Sequence, residues 1–137
     1  MADTIRTLEY FYVQAPNKPG VGASLLAVLK NAGVNLVAFS GFPSGRGAQI
    51  DFVPEDPRAF RAAARTAKWK VVGPKRALLV EGDDRQGAVA DLMAKLGEAK
   101  INVTAIDATC AGAGRYGAIL WVAPRDVTRA AKVLGAS

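Results

Sequence analysis

Apolar residues in the first half of the chain switch between the period of a strand and that of a helix. Thr7–Ala15 is rich in aromatic and β-branched residues, which predicts a strand. After a turn at Pro19 and Gly20, apolar residues return at helical spacing and define one face of a helix: Val21, Leu25, Val28, Leu29 and Ala32. Gly33 is then expected to end this helix.

The same half continues with a hairpin and a second helix. Val34–Phe42 and Ala48–Val53 predict two strands around a turn at residues 43–47. Residues 55–67 predict a helix, and Trp69–Gly73 predicts a short fourth strand. The apolar face of this second helix consists of Phe60, Ala63, Ala64 and Ala67. The predicted order is therefore β-α-β-β-α-β.

The pattern then restarts, because residues 17–35 and 84–102 match each other at a constant offset of 67. Asn17–Gly20 corresponds to Asp84–Gly87, and Gly33–Leu36 corresponds to Lys100–Val103. Such a repeat indicates two copies of one module, which we place at residues 5–73 and 74–137. The second copy is expected to follow a short connection at Pro74–Arg76, with strand Ala77–Gly82, helix 86–99, strand Ile101–Thr109, turn 111–115, strand Gly117–Ala123 and helix 125–134.

Two crossover helices on one face of an antiparallel sheet predict an α+β protein made of two ferredoxin-like modules. The second copy shows no clear fourth strand, which would leave Ala77–Gly82 as an unpaired edge. The helix-free face of the sheets would carry Tyr10, Tyr12, Gln49 and Asp51 in the first copy, and Ile119 and Trp121 in the second. Because this much apolar surface needs a cover, we expect at least a homodimer.

Two short motifs in each copy resemble those of ACT domains. One is Asn/Asp-x-x-Gly between the first strand and the first helix, and the other is Ala-Gly-Val-Asn-Leu or Ala-Lys-Ile-Asn-Val leading into the second strand. The resemblance covers nearly the whole chain. ACT domains are small regulatory modules that commonly bind amino acids. The resemblance therefore implies a free-standing tandem regulatory protein, with a regulated enzyme among its expected partners.

The segment before each first helix is the candidate ligand site. It presents unpaired N–H groups and the positive end of the helix dipole, and glycine lets a ligand carboxylate approach the backbone. An Asn or Asp side chain there could accept from a ligand ammonium. These residues are Asn17, Lys18, Pro19, Gly20, Val21 and Gly22 in the first copy, and Asp84, Arg85, Gln86, Gly87 and Ala88 in the second. The resemblance further implies that a neighbouring module closes the pocket with its second-strand start: Val34 and Asn35, or Ile101 and Asn102.

Purely structural interpretations of these residues stay open. Asn17 and Asp84 could simply cap their helices, because their side-chain oxygens can accept from orphan backbone N–H groups. Gly22 stands where the second copy has Val89 and where the family usually has a larger apolar residue. It either makes room for a ligand or allows the helix to pack closely on the sheet.

Two other sequence patterns are typical of dinucleotide binding and of RNA binding, but each lacks a feature that such a site requires. Gly112–Gly117 spells the dinucleotide fingerprint G-x-G-x-x-G, yet a strand is predicted after it, so a hairpin turn is favoured. RNA-recognition domains share the predicted fold and stack bases on aromatic residues of their third strand. Those positions are taken here by Ala48, Ile50 and Val53, so only the tyrosines of the first strand support RNA binding.

The net charge is +6, and the excess of Lys and Arg is spread over both copies. Such a surface could attract nucleic acid or small anions. The second helix of each copy carries a basic stripe, formed by Arg58, Arg61, Arg65 and Lys68 in the first and by Arg125, Arg129 and Lys132 in the second. We interpret these stripes as solvated helix faces, with phosphate contacts as the alternative.

Composition gives catalysis little support. The chain has no histidine, the commonest general acid–base near neutral pH. Cys110 is the single cysteine and is expected to be a small core-like thiol. No Cys/His or carboxylate spacing suggests a metal, and we expect no enzyme activity and no cofactor. A lone cysteine, no secretory signal and no apolar run of about 18 residues predict a cytoplasmic protein.

Three functions remain. The first is a non-catalytic regulatory protein that binds an amino acid or similar small carboxylate at module interfaces. The second is a structural or protein-interaction module without a ligand. The third, with the least support, is an RNA-binding protein of ferredoxin-like fold.

Overall fold

The structure is a computed structural model that describes residues 3–136. These residues form six strands and four α-helices, in the order β1 Thr4–Ala15, α1 Val21–Asn31, β2 Leu36–Ser44, β3 Gly47–Pro54, α2 Pro57–Thr66, β4 Val72–Asp83, α3 Ala88–Glu98, β5 Val103–Gly112, β6 Arg115–Val122 and α4 Val127–Leu134. A 3-10 turn at Pro124–Asp126 precedes α4. The paired strands are antiparallel, and the predicted α+β class is confirmed.

The chain folds into two units. The inserted unit is Glu9–Lys75, and the split unit joins the residues up to Leu8 with those from Arg76 on. The long strands β1 and β4 contribute to both. The strand order is β2-β3-β1-β4 in the inserted unit and β1-β4-β6-β5 in the split unit. In each order a third strand lies between the two strands that a helical crossover connects, which is the split β-α-β arrangement.

Residues 4–8 of β1 take the sheet position that the second copy was expected to leave empty. Residues 74–136 do contribute just three strands, but β4 lies between β1 and β6. The prediction that Ala77–Gly82 forms an unpaired edge is therefore wrong. The segment expected to join the two copies with almost no linker, Pro74–Arg76, lies inside β4, and the boundary between the units falls between Lys75 and Arg76. Pairing partners this distant in sequence leave no local pattern from which to predict them.

The predicted strand Trp69–Gly73 does not form as a separate element. The Trp69 N–H group donates to the Ala64 carbonyl at 3.0 Å and closes the end of α2, so the strand begins at Val72. The start of α2 follows ordinary capping chemistry: the Asp56 carboxylate accepts from the Arg58 N–H at 3.0 Å, and Pro57 occupies the first helical position.

The G-x-G-x-x-G segment is a hairpin turn, as predicted. Ala113 and Gly114 form the turn between β5 and β6, and Gly114 has a φ of +70°. Tyr116 therefore lies opposite Cys110 across the hairpin. Because a strand follows the glycines, they present no helix N-terminus to a pyrophosphate.

Each unit has its own hydrophobic core on the helical side of its sheet. In the inserted unit the Phe11 and Phe60 rings stack with centroids 4.8 Å apart, and Phe52 stacks on Trp69 at 5.7 Å. The core of the split unit is mainly aliphatic, with Tyr116 as its aromatic member, and includes one residue of the N-terminal strand, Ile5. Its aliphatic members include Ile5, Leu78, Val80, Leu92, Leu96, Leu120 and Leu134.

The side chains predicted for the helix-free sheet face are less exposed than expected. Ile119 is 7% exposed and Trp121 is 8% exposed, while Tyr10 and Tyr12 are half-buried. Asp51 is 4% exposed and accepts from the Gln49 amide at 3.0 Å. Since these side chains are already buried within a single chain, their need for a cover no longer argues for a second chain. The homodimer stays a prediction.

Candidate functional site

Helix α3 begins without a side-chain cap among the described residues. Its N-cap residue is Gly87, with a φ of +79°. The Ala88 N–H makes a long bond of 3.3 Å to the Arg85 carbonyl, and the Asp91 N–H donates to the Gly87 carbonyl at 3.0 Å. The left-handed backbone at Gly87 favours glycine, and a Cβ built there would meet no described atom within 4 Å. The helix start is therefore open to an incoming group.

A cavity of about 370 Å³ lies at this helix start. Its volume falls within the range of roughly 300–1,000 Å³ that small-molecule sites occupy. One wall is the predicted segment together with the first turn of α3, and the other is the end of the edge strand β5 with Tyr116. The lining residues are Asp84, Arg85, Gly87, Ala88, Val89, Ala90, Ala108, Thr109, Cys110 and Tyr116.

Arg85 supplies the positive charge of this cavity and is held by the N-terminal strand. Its Nη1 and Nη2 atoms donate to the two Asp3 carboxylate oxygens at 3.1 and 3.4 Å, and Nη1 also donates to the Asp83 carbonyl at 3.2 Å. The Asp91 carboxylate lies 3.8 Å from Nη2. Arg85 is thus oriented by three groups and still reaches the cavity wall.

The ionisation of Asp3 and Tyr116 reflects the same cluster. Burial raises the pKa of Asp3, but the interactions with Arg85 and Tyr116 outweigh it, so the Asp3 pKa lies below its ordinary value. Burial and the neighbouring Asp3 carboxylate together raise the pKa of Tyr116 to about 12. At neutral pH the cavity therefore has a neutral phenol beside a fixed ion pair.

Asp84 contacts the opposite wall instead of capping α3. Its N–H donates to the Gly114 carbonyl at 2.8 Å. The interaction of the Asp84 carboxylate with the Cys110 thiol raises the pKa of Cys110. Cys110 is exposed, so the expectation of a core-like thiol is wrong, because it lies on an edge strand. The interpretation of Asp84 as a helix cap is wrong as well.

The matching segment in the first copy has the same backbone geometry. Gly20 is the N-cap residue of α1 with a φ of +87°, and no described side chain caps the helix, so the cap predicted at Asn17 is wrong. Asn17, Lys18 and Pro19 are exposed. A Cβ at Gly22 would meet no described atom within 4 Å, so close packing of helix on sheet does not explain this glycine.

The second-strand starts do not reach these segments within their own units. Asn35 follows the C-terminal end of α1, an 11-residue helix that spans about 16 Å. Its amide donates to the Glu55 carboxylate at 2.8 Å, and it lines a different cavity beside Lys30 and Gly33. Asn102 is exposed after α3, and neither asparagine lines the α3 cavity. Closure by a neighbouring module therefore stays a prediction.

The structure brings together four of the five predicted residues of the second copy, Asp84, Arg85, Gly87 and Ala88; Gln86 does not line the cavity. Sequence reasoning missed the β5 wall, Tyr116 and Asp3. The predicted turn at residues 111–115 could have placed Cys110 opposite Tyr116, since antiparallel partners are symmetric about a turn. Asp3 carried no comparable signal.

The described part of the chain adds two observations on chemistry and location. Between residues 3 and 136, no group of three His, Cys, Asp or Glu side chains comes together in a way that could hold a metal ion. None of the helices in that range has the length and apolar character needed to cross a membrane.

Comparison with known proteins identifies the fold but no close relative. No family model and no curated protein matches the chain. A protein from Bacteroides thetaiotaomicron has the same fold with a TM-score of 0.76 and 14% identity, over 96% of this chain and 88% of that one. The ligand-free regulatory subunit of aspartate kinase from Thermus thermophilus gives a TM-score of 0.66 and 13% identity, over 98% and 95%. The corresponding subunit from Thermus flavus gives 0.61 and 13%, over the same shares. The chain therefore shares the fold of these regulatory subunits, in agreement with the fold expected from the sequence motifs.

Proposed function

We propose that this chain is a non-catalytic regulatory protein that binds an amino acid or a similar small carboxylate in the α3 cavity. The observation that carries the proposal is the open start of α3 facing a cavity of about 370 Å³. Unpaired N–H groups and the helix dipole favour an anion at such a place. The backbone of Val89 and Ala90, which line the cavity, would donate to the ligand carboxylate.

The remaining charges suit a zwitterion. Arg85 would add a second contact to the carboxylate, while the Asp84 carboxylate on the β5 side would accept from the ammonium group. The edge strand β5 offers backbone groups from Ala108 to Cys110 that pair with no further strand in the split unit. The ligand side chain would then lie against Tyr116 and Val89, which would set its size.

A regulatory role is supported by the solved structures that share this fold. The two Thermus structures are regulatory subunits of aspartate kinase, and their fold covers nearly all of this chain. We therefore infer an enzyme partner whose activity responds to the ligand. Asn17–Gly22 is the second candidate site, because Gly20 repeats the open helix start of Gly87.

Thermal unfolding in the presence of the twenty amino acids and simple carboxylates tests the proposal. A ligand that binds the folded state at 100 times its Kd stabilises it by about 2.7 kcal/mol, so one or a few compounds should raise the Tm. Gly87→Leu should abolish the rise. Gly20→Leu is the matched control, because both glycines have left-handed φ values and open space at Cβ. A rise that survives Gly87→Leu and disappears with Gly20→Leu would move the site to α1.

The interaction-module alternative rests on a different observation. Phe39 and Phe42 are each 44% exposed on β2, the edge strand of the inserted unit. An exposed edge with two aromatic residues favours pairing with another chain. Sedimentation of the wild type and of a Phe39→Ser, Phe42→Ser variant would test the expected homodimer. A flat ligand screen with a dimer that the variant breaks would favour the interaction module.

A further inference from the structure

Another cavity, of about 420 Å³, lies in the inserted unit between α2 and the start of β4. Its lining combines two arginines with aromatic and small residues: Phe11, Arg61, Ala64, Arg65, Trp69, Val71, Gly73 and Pro74. From this combination we infer a further binding site, for an anion that carries a flat ring and no positive charge. This site is separate from the α3 cavity and does not depend on the function proposed for it.

Within the described part of the chain, the two guanidinium groups have no partner of opposite charge. Arg61 and Arg65 are four positions apart on α2, a spacing at which like charges destabilise a helix. Among the ion pairs of residues 3–136, none involves either arginine. The Arg61 guanidinium lies over the Phe11 ring, with Cζ 5.5 Å from the ring centroid, which fixes one cation at the cavity. An anion entering the cavity would relieve the repulsion.

The wall beside the arginines is flat and firmly packed. Trp69 is half-buried, stacks on Phe52 with centroids 5.7 Å apart, and meets Phe60 edge-on at 6.3 Å. Because its ring is held from behind, the exposed part can serve as a stacking surface without reorganising. Ala64, between the two arginines on α2, adds only a methyl group to the lining. A flat ring would therefore stack on Trp69 while its anionic group pairs with the arginines.

The charges that line this cavity favour an anion and disfavour an amino acid, which also carries an ammonium group. Guanidinium groups bind phosphate or carboxylate through paired N–H donors. None of the described residues that line this cavity carries a carboxylate, in contrast to Asp84 in the α3 cavity, so a ligand ammonium would meet only like charge. Nucleoside monophosphates and aromatic carboxylates both have the inferred chemistry, whereas an aromatic amino acid does not.

Trp69 fluorescence provides a direct test. The chain has two tryptophans, and Trp121→Phe removes the other one. In this background, adenosine monophosphate or phenylacetate should quench Trp69 in a saturable way, and the stronger of the two identifies phosphate or carboxylate as the preferred group. Adenosine, which lacks the anion, and phenylalanine, which adds a positive charge, should each bind at least about tenfold more weakly, the loss expected for a charge-assisted contact.

Arginine variants decide whether the quenching comes from the inferred site. Both the single variant Arg65→Gln and the double variant Arg61→Gln, Arg65→Gln should bind the anion about tenfold or more weakly than the parent protein. Arg58→Gln is the matched control, because Arg58 is an exposed arginine of α2 outside the cavity. Arg65→Gln alone keeps the Arg61–Phe11 contact, so the test does not depend on the double variant folding. The inference is overturned if neither anion quenches at millimolar concentration, if adenosine or phenylalanine binds equally well, or if the arginine variants bind like the control.

Discussion

Arg85 and Asp3 form a two-point ion pair, with Nη1–Oδ1 at 3.1 Å and Nη2–Oδ2 at 3.4 Å, across 82 positions of the sequence. The pair connects the beginning of the N-terminal strand to the segment that precedes α3. Since Arg85 also lines the α3 cavity, the N-terminal strand holds part of the candidate ligand site in place. The cavity therefore depends on residues that the repeat did not include.

Truncating Ile5 should destabilise the protein although the residue lies near the chain terminus. Ile5 is 2% exposed and packs in the core of the split unit with Leu78 and Leu120. We expect Ile5→Ala to lower the free energy of unfolding by about 2–5 kcal/mol, measured by urea denaturation. Thr7→Ala, an exposed position of the same strand, should change it by less than about 0.5 kcal/mol. Equal effects of the two variants would contradict the packing of this strand in the core.

Replacing Asp3 with an uncharged residue should lower the stability of the folded state at neutral pH but leave it unchanged in acid. The pKa of Asp3 is lowered in the folded state, so its stabilising contribution is present above the ordinary value of 3.8 and is lost as the pH falls below it. Asp3→Asn should cost about 1 kcal/mol at pH 7, because the pair is partly exposed. Thermal unfolding of both proteins from pH 7 down to pH 2 should show the two Tm values converging. A constant difference would mean that the charge of Asp3 is not responsible.

Local features of the fold could be predicted from the sequence because their causes lie within a few residues. The hairpin at Ala113 and Gly114 follows from glycine spacing, and α2 follows from its apolar face and from Asp56. The division of β1 between two units could not be predicted, since it depends on pairing with β4 more than sixty residues away. A repeat shows which segments are equivalent, but not which chain segment completes each sheet.

The residues of the candidate site also divide into those that are close together in sequence and those that long-range pairing brings to the site. Asp84, Arg85, Gly87 and Ala88 could be predicted to lie together because the motif and the helix start are contiguous in sequence, whereas the predicted Gln86 does not line the cavity. Tyr116 needed the register of a hairpin, and Asp3 needed the long-range pairing of the N-terminal strand. The burial of Asp51 was also not predictable, because an alternating strand pattern assigns a face and does not show what covers it.

Asp51→Asn should stabilise the protein at neutral pH. Burial raises the pKa of Asp51, and the hydrogen bond from Gln49 and the charge of Lys75 oppose this only in part. For a carboxyl with a raised pKa, the stability is highest in acid and falls as the pH rises through the folded-state value. We expect the free energy of unfolding to increase by about 1 kcal/mol at pH 7, and the increase to shrink towards pH 3. Thermal unfolding of both proteins across this pH range measures the difference. Asp107→Asn, at an exposed position of β5, should be neutral throughout.

The reactivity of Cys110 should report on the α3 cavity. It is the single cysteine, and its interaction with the Asp84 carboxylate raises the thiol pKa, which keeps the thiolate fraction small at neutral pH. Asp84→Asn should therefore accelerate the reaction with a disulfide reagent at pH 8. Asp83→Asn is the control, because the Asp83 carboxylate pairs with Arg115 at 2.8 Å instead. A ligand that raises the Tm should slow the wild-type reaction, since Cys110 lines the cavity. If such a ligand leaves the rate unchanged, it binds elsewhere on the chain.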